Sequence, residues 1–513
     1  MLKTLSELKL ENSYLDFPEN FYHRVNPRGL KNAHLVSFNP DVAYMLDLDP
    51  CKVSPSELAR FFGGGEILTG SEPLAMKYGG HQFGQYNPDL GDGRGLLLGE
   101  VVNSKDERWD LHLKGAGKTA YSRFGDGRAV LRSSIREYLI SAAMEGLHIP
   151  TTRALCLVGS DEYTMREGME PCAKVLRVTQ CHIRFGHFEH LYYSRQYDAL
   201  KTLADTCLDR YFTECEGDRK SPLGEAPQAN DLDTNNVDVK ESESAYLAMF
   251  KAIRDRSIEM VAKWQAYGFV HGVMNTDNMS ILGETFDYGP YVFMDQYKPD
   301  YVSNHTDHEG RYAFKRQPDV MLWNLSCLAQ ALLPLIKRDA LVAALDDYKD
   351  LYQQAYYQQM RARLGLVVAQ DGDDVLIDQL IQLATVQRID LNRFLRDLCD
   401  LDPDNDTSLQ QCLRHFSDPV AATDWLVAYT HRAALEMASF PIMQQQMRSV
   451  NPCYLLRSYM LEEAIREAND GDYRLVNTLL SVVRNPFEEK PEFARYAGEA
   501  PEWAGGISLS CSS

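Results

Sequence analysis

Long apolar runs are missing from this chain of 513 residues, in which no stretch of 18 apolar residues occurs. Its first residues, MLKTLSELKLENSYLDF, contain neither an apolar signal core nor an Arg-rich, acid-poor presequence. A membrane-spanning helix needs about 20 apolar residues, and a secretory signal needs an apolar core. We therefore expect a cytoplasmic protein with no membrane partner.

Positive charge is also scarce, because 53 Lys and Arg stand against 73 Asp and Glu, which gives a formal net charge of −20. Proteins whose main partner is a nucleic-acid backbone need clustered cations to displace its counterions. We therefore expect no nucleic-acid partner. A local group of Lys and Arg is still enough to bind a nucleotide.

The eleven cysteines form no C-x-x-C pair, so neither a zinc framework nor a redox motif is indicated. Several of them lie in apolar runs and are expected to be buried, reduced thiols, namely Cys156, Cys327, Cys399 and Cys412. Cys181, His182, His187 and His190 lie close together in sequence, but their spacing fits no closed zinc pattern. Cys511 lies in the terminal Ser-Cys-Ser-Ser, where a chain end is usually exposed.

The length of the chain suggests two to four units, and its periodicity changes from strand-like to helical along the sequence. We divide it into an N-terminal extension at 1–75, a strand-rich unit at 76–185, a helical unit at 186–484 and a tail at 485–513. The helical unit contains a polar acidic insertion at 214–244, which we expect to be a loop.

Apolar alternation predicts strands at Leu96–Val102, Trp109–Lys114, Arg153–Val158, Tyr163–Arg166 and Ala173–Thr179. The stretch from Met76, MKYGGHQFGQYNPDLGDGRG, has no period of either kind. Its glycine content indicates unusual backbone conformations or a close approach to a ligand. Helical spacing predicts helices near 131–146, 317–337, 339–364, 374–386, 389–400, 407–414, 419–439 and 455–467.

The segment at 271–295, HGVMNTDNMSILGETFDYGPYVFMD, follows an amphipathic helix that ends at Gly268. Within it, Asn278 and Asp287 flank a predicted strand at Met279–Leu282. An amide and a carboxylate brought together across a hairpin can hold one hard divalent cation. The alternative is that Asn-Thr-Asp-Asn is a polar turn whose side chains cap their own backbone.

The protein-kinase template H-R-D-x-x-x-x-N followed by D-F-G fits this segment in part. His271, Asn278 and Asp287-Tyr288-Gly289 match the template, whereas Val273 replaces the catalytic Asp. Asp277, one position before the Asn, supplies a carboxylate that the template does not require. The metal ligands are thus retained, and Asp277 is the candidate for a relocated base.

Lys114 alternates out of a predicted strand, which usually means that a Lys is solvated. Glu137 lies beside the apolar stripe of the helix predicted after it, where it can face a sheet, although a surface pairing with Arg132 or Arg136 is the alternative. The nearby Gly-Ala-Gly-Lys-Thr is not a phosphate-binding P-loop, because His112 stands where the first Gly is required.

The order of these features is that of a protein kinase: a Lys on a strand, a Glu on a helix, and then a helical half that opens with a catalytic-type loop. The segments GDGRG, HLKGAGKT, SRFGDGRAVLRSSIREYL, RFGHFEH, HGVMNTDNMS, DYGP and the ending CSS closely resemble the SelO family, also called YdiU. The resemblance covers essentially the whole chain. It implies an α+β, protein-kinase-like fold of two lobes, strand-rich and then largely helical, with family-specific extensions.

The resemblance further implies a protein adenylyltransferase that moves AMP from ATP to Ser, Thr or Tyr hydroxyls and releases pyrophosphate. On this view Lys114 pairs with Glu137, Asp277 is the base, and Asn278 and Asp287 hold Mg²⁺. The implied nucleotide contacts are Gly91, Gly93, Arg94, Lys114, Asp126, Gly127, Arg177 and Arg184.

Several alternatives stay open at the level of sequence. Oxygen ligands accept Mn²⁺ as well as Mg²⁺, and UTP is an alternative donor to ATP. A kinase that transfers the γ-phosphoryl group and an inactive scaffold are the competing functions. The partners we expect are ATP and proteins with acceptor hydroxyls, and the chain itself is expected to be a monomer.

The family also implies a redox-linked role for the terminal cysteine, because some relatives appear to join it to a cysteine in the loop after D-Y-G. In this chain the loop from Tyr288 to Arg311 contains no Cys, and Ser303 stands where the partner is expected. We therefore expect no disulfide between Cys511 and this loop.

Overall fold

A computed structural model describes residues 2–215, 234–403, 405–436 and 440–510. The fold is mixed, with a large antiparallel sheet near the N-terminus followed by many helices. The strands are β1 Tyr22–Arg24, β2 His34–Phe38, β3 Leu74–Gln82, β4 Gln85–Gly91, β5 Gly95–Val102, β6 Arg108–Lys114, β7 Ala129–Val130, β8 Arg153–Met165, β9 Met169–Thr179, β10 Phe269–Val270 and β11 Val292–Phe293. The helices are α1 Pro40–Met45, α2 Pro55–Phe62, α3 Leu131–Gly146, α4 Phe185–Tyr193, α5 Tyr197–Tyr211, α6 Thr234–Tyr267, α7 Gln317–Ala331, α8 Arg338–Asp346, α9 Tyr348–Arg363, α10 Asp373–Gln387, α11 Leu391–Leu398, α12 Asp406–Leu413, α13 Pro419–Ala433, α14 Phe440–Arg448, α15 Ser458–Asn469 and α16 Arg474–Val483.

The main sheet has the strand order β1-β3-β5-β6-β9-β8-β2, with β4 paired to β3 and β7 paired to β9. Strand β6 lies in its interior, where Lys114 stands opposite Gly95 on one side and Val175 on the other. The outer strands β1 and β2 both come from residues 1–75, so this segment completes the sheet. The division at residues 75, 185 and 484 stays a prediction.

Both faces of the central strands β5, β6 and β9 are largely buried, including the polar side chains Asp110, His112 and Lys114 of β6. One face packs on α3, and a second core forms on the other face, under residues of the first 75. Leu111 and Leu113 of β6 belong to that second core. Lys114 therefore points away from it, as the alternation predicts, but towards α3 and not into solvent.

The glycine-rich stretch from Met76 forms strands, which its lack of a period did not predict. It makes the hairpin of β3 and β4, with an irregular register between Tyr78 and Gly80. A Cβ on Gly91 would lie 2.5 Å from the ring of Tyr121. Glycine is needed at that point because the backbone passes so close to the ring, and side-chain alternation is lost as a result.

Several other elements differ from the sequence-based expectation. The strands predicted at Arg153–Val158 and Tyr163–Arg166 are one strand, β8, whose register shifts between Gly159 and Tyr163. The strand predicted at Met279–Leu282 is only a single bridge between Ser280 and Arg184. Its backbone bonds there are Phe185 N–H to the Met279 carbonyl and Ile281 N–H to the Ile183 carbonyl, too few for a strand.

The helical half contains more breaks than the periodicity predicts. The helix expected at 339–364 is divided into α8 and α9, while α14 and α16 were not predicted. In the acidic insertion, predicted as a loop at 214–244, helix α6 already begins at Thr234; residues 216–233 lie outside the described part of the chain. No helix that the structure describes is long and apolar enough to cross a membrane.

Strand β2, near the N-terminus, contacts a segment near the C-terminus that includes α16. His34 Nε2 lies 2.8 Å from the Tyr473 hydroxyl, and Ser37 Oγ donates to Asn477 Oδ1 over 2.9 Å. Helix α16, which carries Asn477, also packs on α3. A segment made late in synthesis thus supports the helix that carries Glu137.

Candidate functional site

A cleft of about 630 Å³ lies between the sheet and the loop at 273–290. It is lined by β3 to β6, β9 and the loop before α3. Of the site residues predicted from the sequence, all except Glu137 line this cleft, namely Gly91, Gly93, Arg94, Lys114, Asp126, Gly127, Arg177, Arg184, Asp277, Asn278 and Asp287. Segments nearly 200 residues apart in sequence therefore meet at one place.

Lys114 and Glu137 form a buried ion pair at the base of the cleft. Glu137 also accepts a hydrogen bond from Arg177. Burial opposes its ionisation, but the two cations lower the pKa of Glu137 to about 2. The pKa of Lys114 falls to about 8 because burial outweighs the attraction of Glu137. The alternative that Lys114 is solvated is therefore wrong, because α3 covers this face of the sheet.

The surface alternative for Glu137 is also wrong, since neither neighbouring Arg is its partner. Arg136 is buried and donates to the carbonyl of Tyr291 over 3.0 Å. Arg132 pairs with Glu170 at 3.1 Å. Glu137 therefore has its charge balanced only from the cleft side.

Asp287 lies between two buried guanidinium groups. Arg177 Nη2 is 2.7 Å from one of its oxygens, and Arg184 Nη1 is 2.7 Å from the other. Burial alone would raise the pKa of Asp287, but Arg177, Arg184 and Lys114 together hold it well below its usual range. The residue has a left-handed backbone with φ of 55°, a strained conformation that the surrounding contacts maintain.

Asp277 lies in a single 3-10 turn, Thr276–Asn278. Its Oδ2 accepts a hydrogen bond from Gln82 over 3.2 Å, while its Oδ1 is buried without a partner among the described residues. Burial, and to a lesser degree the charge of Asp287, raises the pKa of Asp277 to about 7, although Arg184 opposes this. A carboxylate with such a pKa is suited to accept a proton at neutral pH.

Asn278 is half-buried and lines the cleft beside Asp277. Its amide nitrogen donates to the carbonyl of Val273 over 3.1 Å, so its oxygen is the atom left for a ligand. The side chain of Asn275 does not cap the turn, because it accepts from the Phe83 N–H and the Tyr312 hydroxyl. The alternative that this tetrapeptide only caps its own backbone is therefore not what the structure shows.

The outer part of the cleft is formed by the glycine-rich segments. Gly127 has φ of 73°, and a Cβ there would lie 2.1 Å from the Gly117 carbonyl carbon. Asp126 is held by Arg166, with Nη2 2.8 Å from Oδ1, which keeps the pKa of Asp126 below its usual range. Arg94 is exposed, so its guanidinium is accessible to an anion in the cleft.

Sequence reasoning missed some residues that shape the site. Gln82 bonds to Asp277, and Asp92 and His112 form a buried pair with 3.2 Å between Oδ2 and Nε2. Asp92 and His112 line the cleft, as does Gln82. Gln82 and Asp92 lie within the glycine-rich stretch, whose composition alone indicated a ligand, but nothing local identified their partners.

The loop after Asp287-Tyr288-Gly289 contacts the C-terminal tail. The N–H of His305 donates to the carbonyl of Leu509 over 3.0 Å, next to the buried Ser303. On the other side, Ser510 donates to Glu167 over 3.2 Å. Cys511 lies outside the described residues, and the expectation that it forms no disulfide with the loop stays a prediction.

Comparison with known proteins gives the same family as the motifs. A family model described as "Protein adenylyltransferase SelO" matches residues 4–484. A protein of Hahella chejuensis named "Protein nucleotidyltransferase YdiU" is 55% identical over 514 residues, which cover 99% of each chain. Proteins of the same name from Photobacterium profundum and Pseudomonas aeruginosa are 45% and 44% identical, and each match covers the whole of both chains. Since the family model spans most of the chain and the similarity extends along its full length, the chain belongs to the SelO family of protein adenylyltransferases.

Proposed function

We propose that this enzyme transfers AMP from ATP to Ser, Thr or Tyr hydroxyls of other proteins and releases pyrophosphate, within a kinase-like fold of two lobes. The sheet order supports the fold, because the strand with Lys114 lies between two neighbours and faces Glu137 on the following helix. This is the arrangement that holds nucleotide phosphates in kinases. The helical half then supplies the loop with Asp277 and Asn278.

The observation that carries the proposal is the buried cation cluster at the base of the cleft. Lys114, Arg177 and Arg184 converge there around Glu137 and Asp287. When AMP is transferred, pyrophosphate leaves, and a polyanion that departs inward needs fixed cations to receive it. Three cations against two carboxylates leave one positive charge for this role.

Asp277 is the group proposed to act on the acceptor. Its unpartnered Oδ1 can accept the proton of an attacking hydroxyl, and Gln82 and Arg184 hold the residue by its other oxygen and its carbonyl. Val273, at the position of the kinase base, is apolar and cannot take a proton. The proton-accepting group has thus moved four residues along the loop.

A divalent cation, Mg²⁺ or Mn²⁺, fits the residues present. The Asn278 amide oxygen, the Asp287 carboxylate and the orphaned Asp277 Oδ1 are oxygen donors of the kind these ions prefer. Asn278 and Asp287 would hold the ion, which would neutralise phosphate charge. Gly91, Gly93, Arg94, Asp126 and Gly127 would then contact the rest of the nucleotide.

Labelled nucleotide tests this function directly. Purified protein is incubated with a mixture of acceptor proteins, either with ATP labelled at the α-phosphate or with ATP labelled at the γ-phosphate. We expect label on protein only from the α-position, and none with the Asp277→Asn variant. Label transferred from the γ-position would show that the protein is a kinase. If neither position labels protein, the chain is an inactive scaffold. A parallel reaction with α-labelled UTP identifies the preferred donor.

A further inference from the structure

Glu189 is a carboxylate with no solvent exposure that lies outside the cleft, on helix α4. Its Oε1 contacts Nδ1 of His81, which is near the end of β3, and its Oε2 accepts a hydrogen bond from the hydroxyl of Thr276. Thr276 is also fully buried and directly precedes Asp277. One carboxylate therefore joins the sheet, α4 and the catalytic loop.

The Thr276 hydroxyl uses both of its hydrogen-bonding capacities here. It donates to Glu189 and accepts from the backbone N–H of His81 over 2.7 Å. The two following residues of β3 and its turn extend the contact, since Gln82 bonds to Asp277 and the Phe83 N–H to Asn275. The loop is thus attached to consecutive residues of the sheet on both sides of Thr276.

Cys327 of α7 is the third member of this cluster, and its sulfur lies within 4.8 Å of the His81 and Glu189 ligand atoms. Each Glu189 oxygen already has a protein partner, one in His81 of the sheet and the other in Thr276 of the loop. The polar groups of the cluster thus bond to one another, and through Glu189 they attach the loop at Thr276 to β3 and α4. We call this arrangement the anchor.

We propose that Glu189 is a positioning residue for nucleotidyl transfer, an inference that rests on the proposed role of Asp277. By fixing the Thr276 hydroxyl against β3, it holds the backbone from which Asp277 projects into the cleft. Glu189 itself touches neither nucleotide nor acceptor. Its loss therefore reduces the rate of transfer and leaves the binding of ATP intact, because misplacing a base affects the reacting geometry only.

Two substitutions at Thr276 separate this anchor from general packing. Thr276→Val keeps the shape but can neither donate nor accept, whereas Thr276→Ser retains the hydroxyl. We expect Thr276→Val, which loses the bonds to Glu189 and to the His81 N–H, and Glu189→Met, which can accept from neither Thr276 nor His81, each to lower kcat by at least about tenfold, with KM for ATP unchanged. Thr276→Ser should restore most of kcat. The double variant should lose little more than Thr276→Val alone, because Thr276→Val and Glu189→Met both remove the contact between Thr276 and Glu189.

Tyr246→Phe is the matched control, since the Tyr246 hydroxyl donates to a carboxylate of Asp205 over 2.6 Å between α5 and α6, away from the cleft. It should leave kcat and KM unchanged. If Thr276→Val keeps the wild-type kcat, or if Thr276→Ser is as slow as Thr276→Val, the positioning role is wrong.

Hydrogen exchange gives a reading that does not depend on activity. In peptides covering residues 271–282, exchange should be faster in Thr276→Val and Glu189→Met than in the wild type, and unchanged in Thr276→Ser and Tyr246→Phe. If the wild type transfers no α-label, the proposed function fails, while exchange still decides whether the anchor exists. Unchanged exchange in both anchor variants would overturn the anchor even in an active enzyme.

Discussion

Asp277 is the residue on which the proposed chemistry depends most directly. Asp277→Asn keeps the shape of the side chain and its bond to Gln82 but removes the proton acceptor. We expect transfer to fall by about 10²–10⁴, the usual effect of losing a general base, while the Kd for ATP measured by calorimetry hardly changes. An equal loss of ATP affinity would identify Asp277 as a metal ligand instead.

The raised pKa of Asp277, about 7, also has a consequence for stability. Between the ordinary pKa of an Asp and pH 7, the folded protein binds a proton that the unfolded chain has released. The contribution of Asp277 to the free energy of unfolding is therefore largest at low pH and is lost as the pH rises through about 7. Asp277→Asn has no such titration. We expect its Tm, relative to the wild type without nucleotide, to be higher at pH 8 than at pH 5. An equal difference at both pH values would contradict this.

Asp287 lines the cleft and also neutralises two buried guanidinium groups. Asp287→Ala should abolish transfer, as expected of a metal ligand, and should also lower the free energy of unfolding by about 3–5 kcal/mol, because the buried Arg184 loses its carboxylate partner and Arg177 keeps only its bond to Glu137. Denaturant unfolding measures this. Wild-type stability together with lost transfer would show that Asp287 serves the metal alone.

At the scale of elements, helix α4 approaches β3 unusually closely. A Cβ on Gly186 would lie 2.2 Å from the carbonyl oxygen of Gly79 and 3.5 Å from Cα of Asp277. Gly186→Ala should therefore push α4 away from β3, reduce stability by about 1–3 kcal/mol and slow transfer. Gly168→Ala is the control, because a Cβ there meets nothing within 4 Å. Equal activity of the two variants would mean that the approach of α4 is not needed.

The sequence predicted those elements whose residues alternate or repeat along one face. Helix α3 was predicted with its observed bounds, and strands β5 and β6 were predicted to within one residue at each end, because all three elements carry a regular apolar pattern. Strands β3 and β4 were missed because glycines remove that pattern. The contacts of Glu189 with His81 and Thr276 span 108 and 87 residues, and such long-range pairs leave no local signal in one sequence.

For the molecule as a whole, a remaining question is whether redox conditions control it. Of the described cysteines only Cys51 is exposed, and Ser303 offers no thiol where the tail meets the loop. We expect Cys511→Ser to leave transfer nearly unchanged, and added reductant to have little effect on purified enzyme. A non-reducing peptide map that shows Cys511 bonded to another cysteine of the chain would refute this.

The meeting of the two chain ends determines when during synthesis the enzyme becomes competent. Helix α16 covers α3 and bonds to β2, yet it is translated more than 300 residues after the helix that it supports. Domains usually begin folding from the N-terminus as they leave the ribosome, but α3 and its Glu137 lack the packing of α16 until the last part of the chain is released. We therefore expect a nascent copy that still lacks α16 to be a poor transferase.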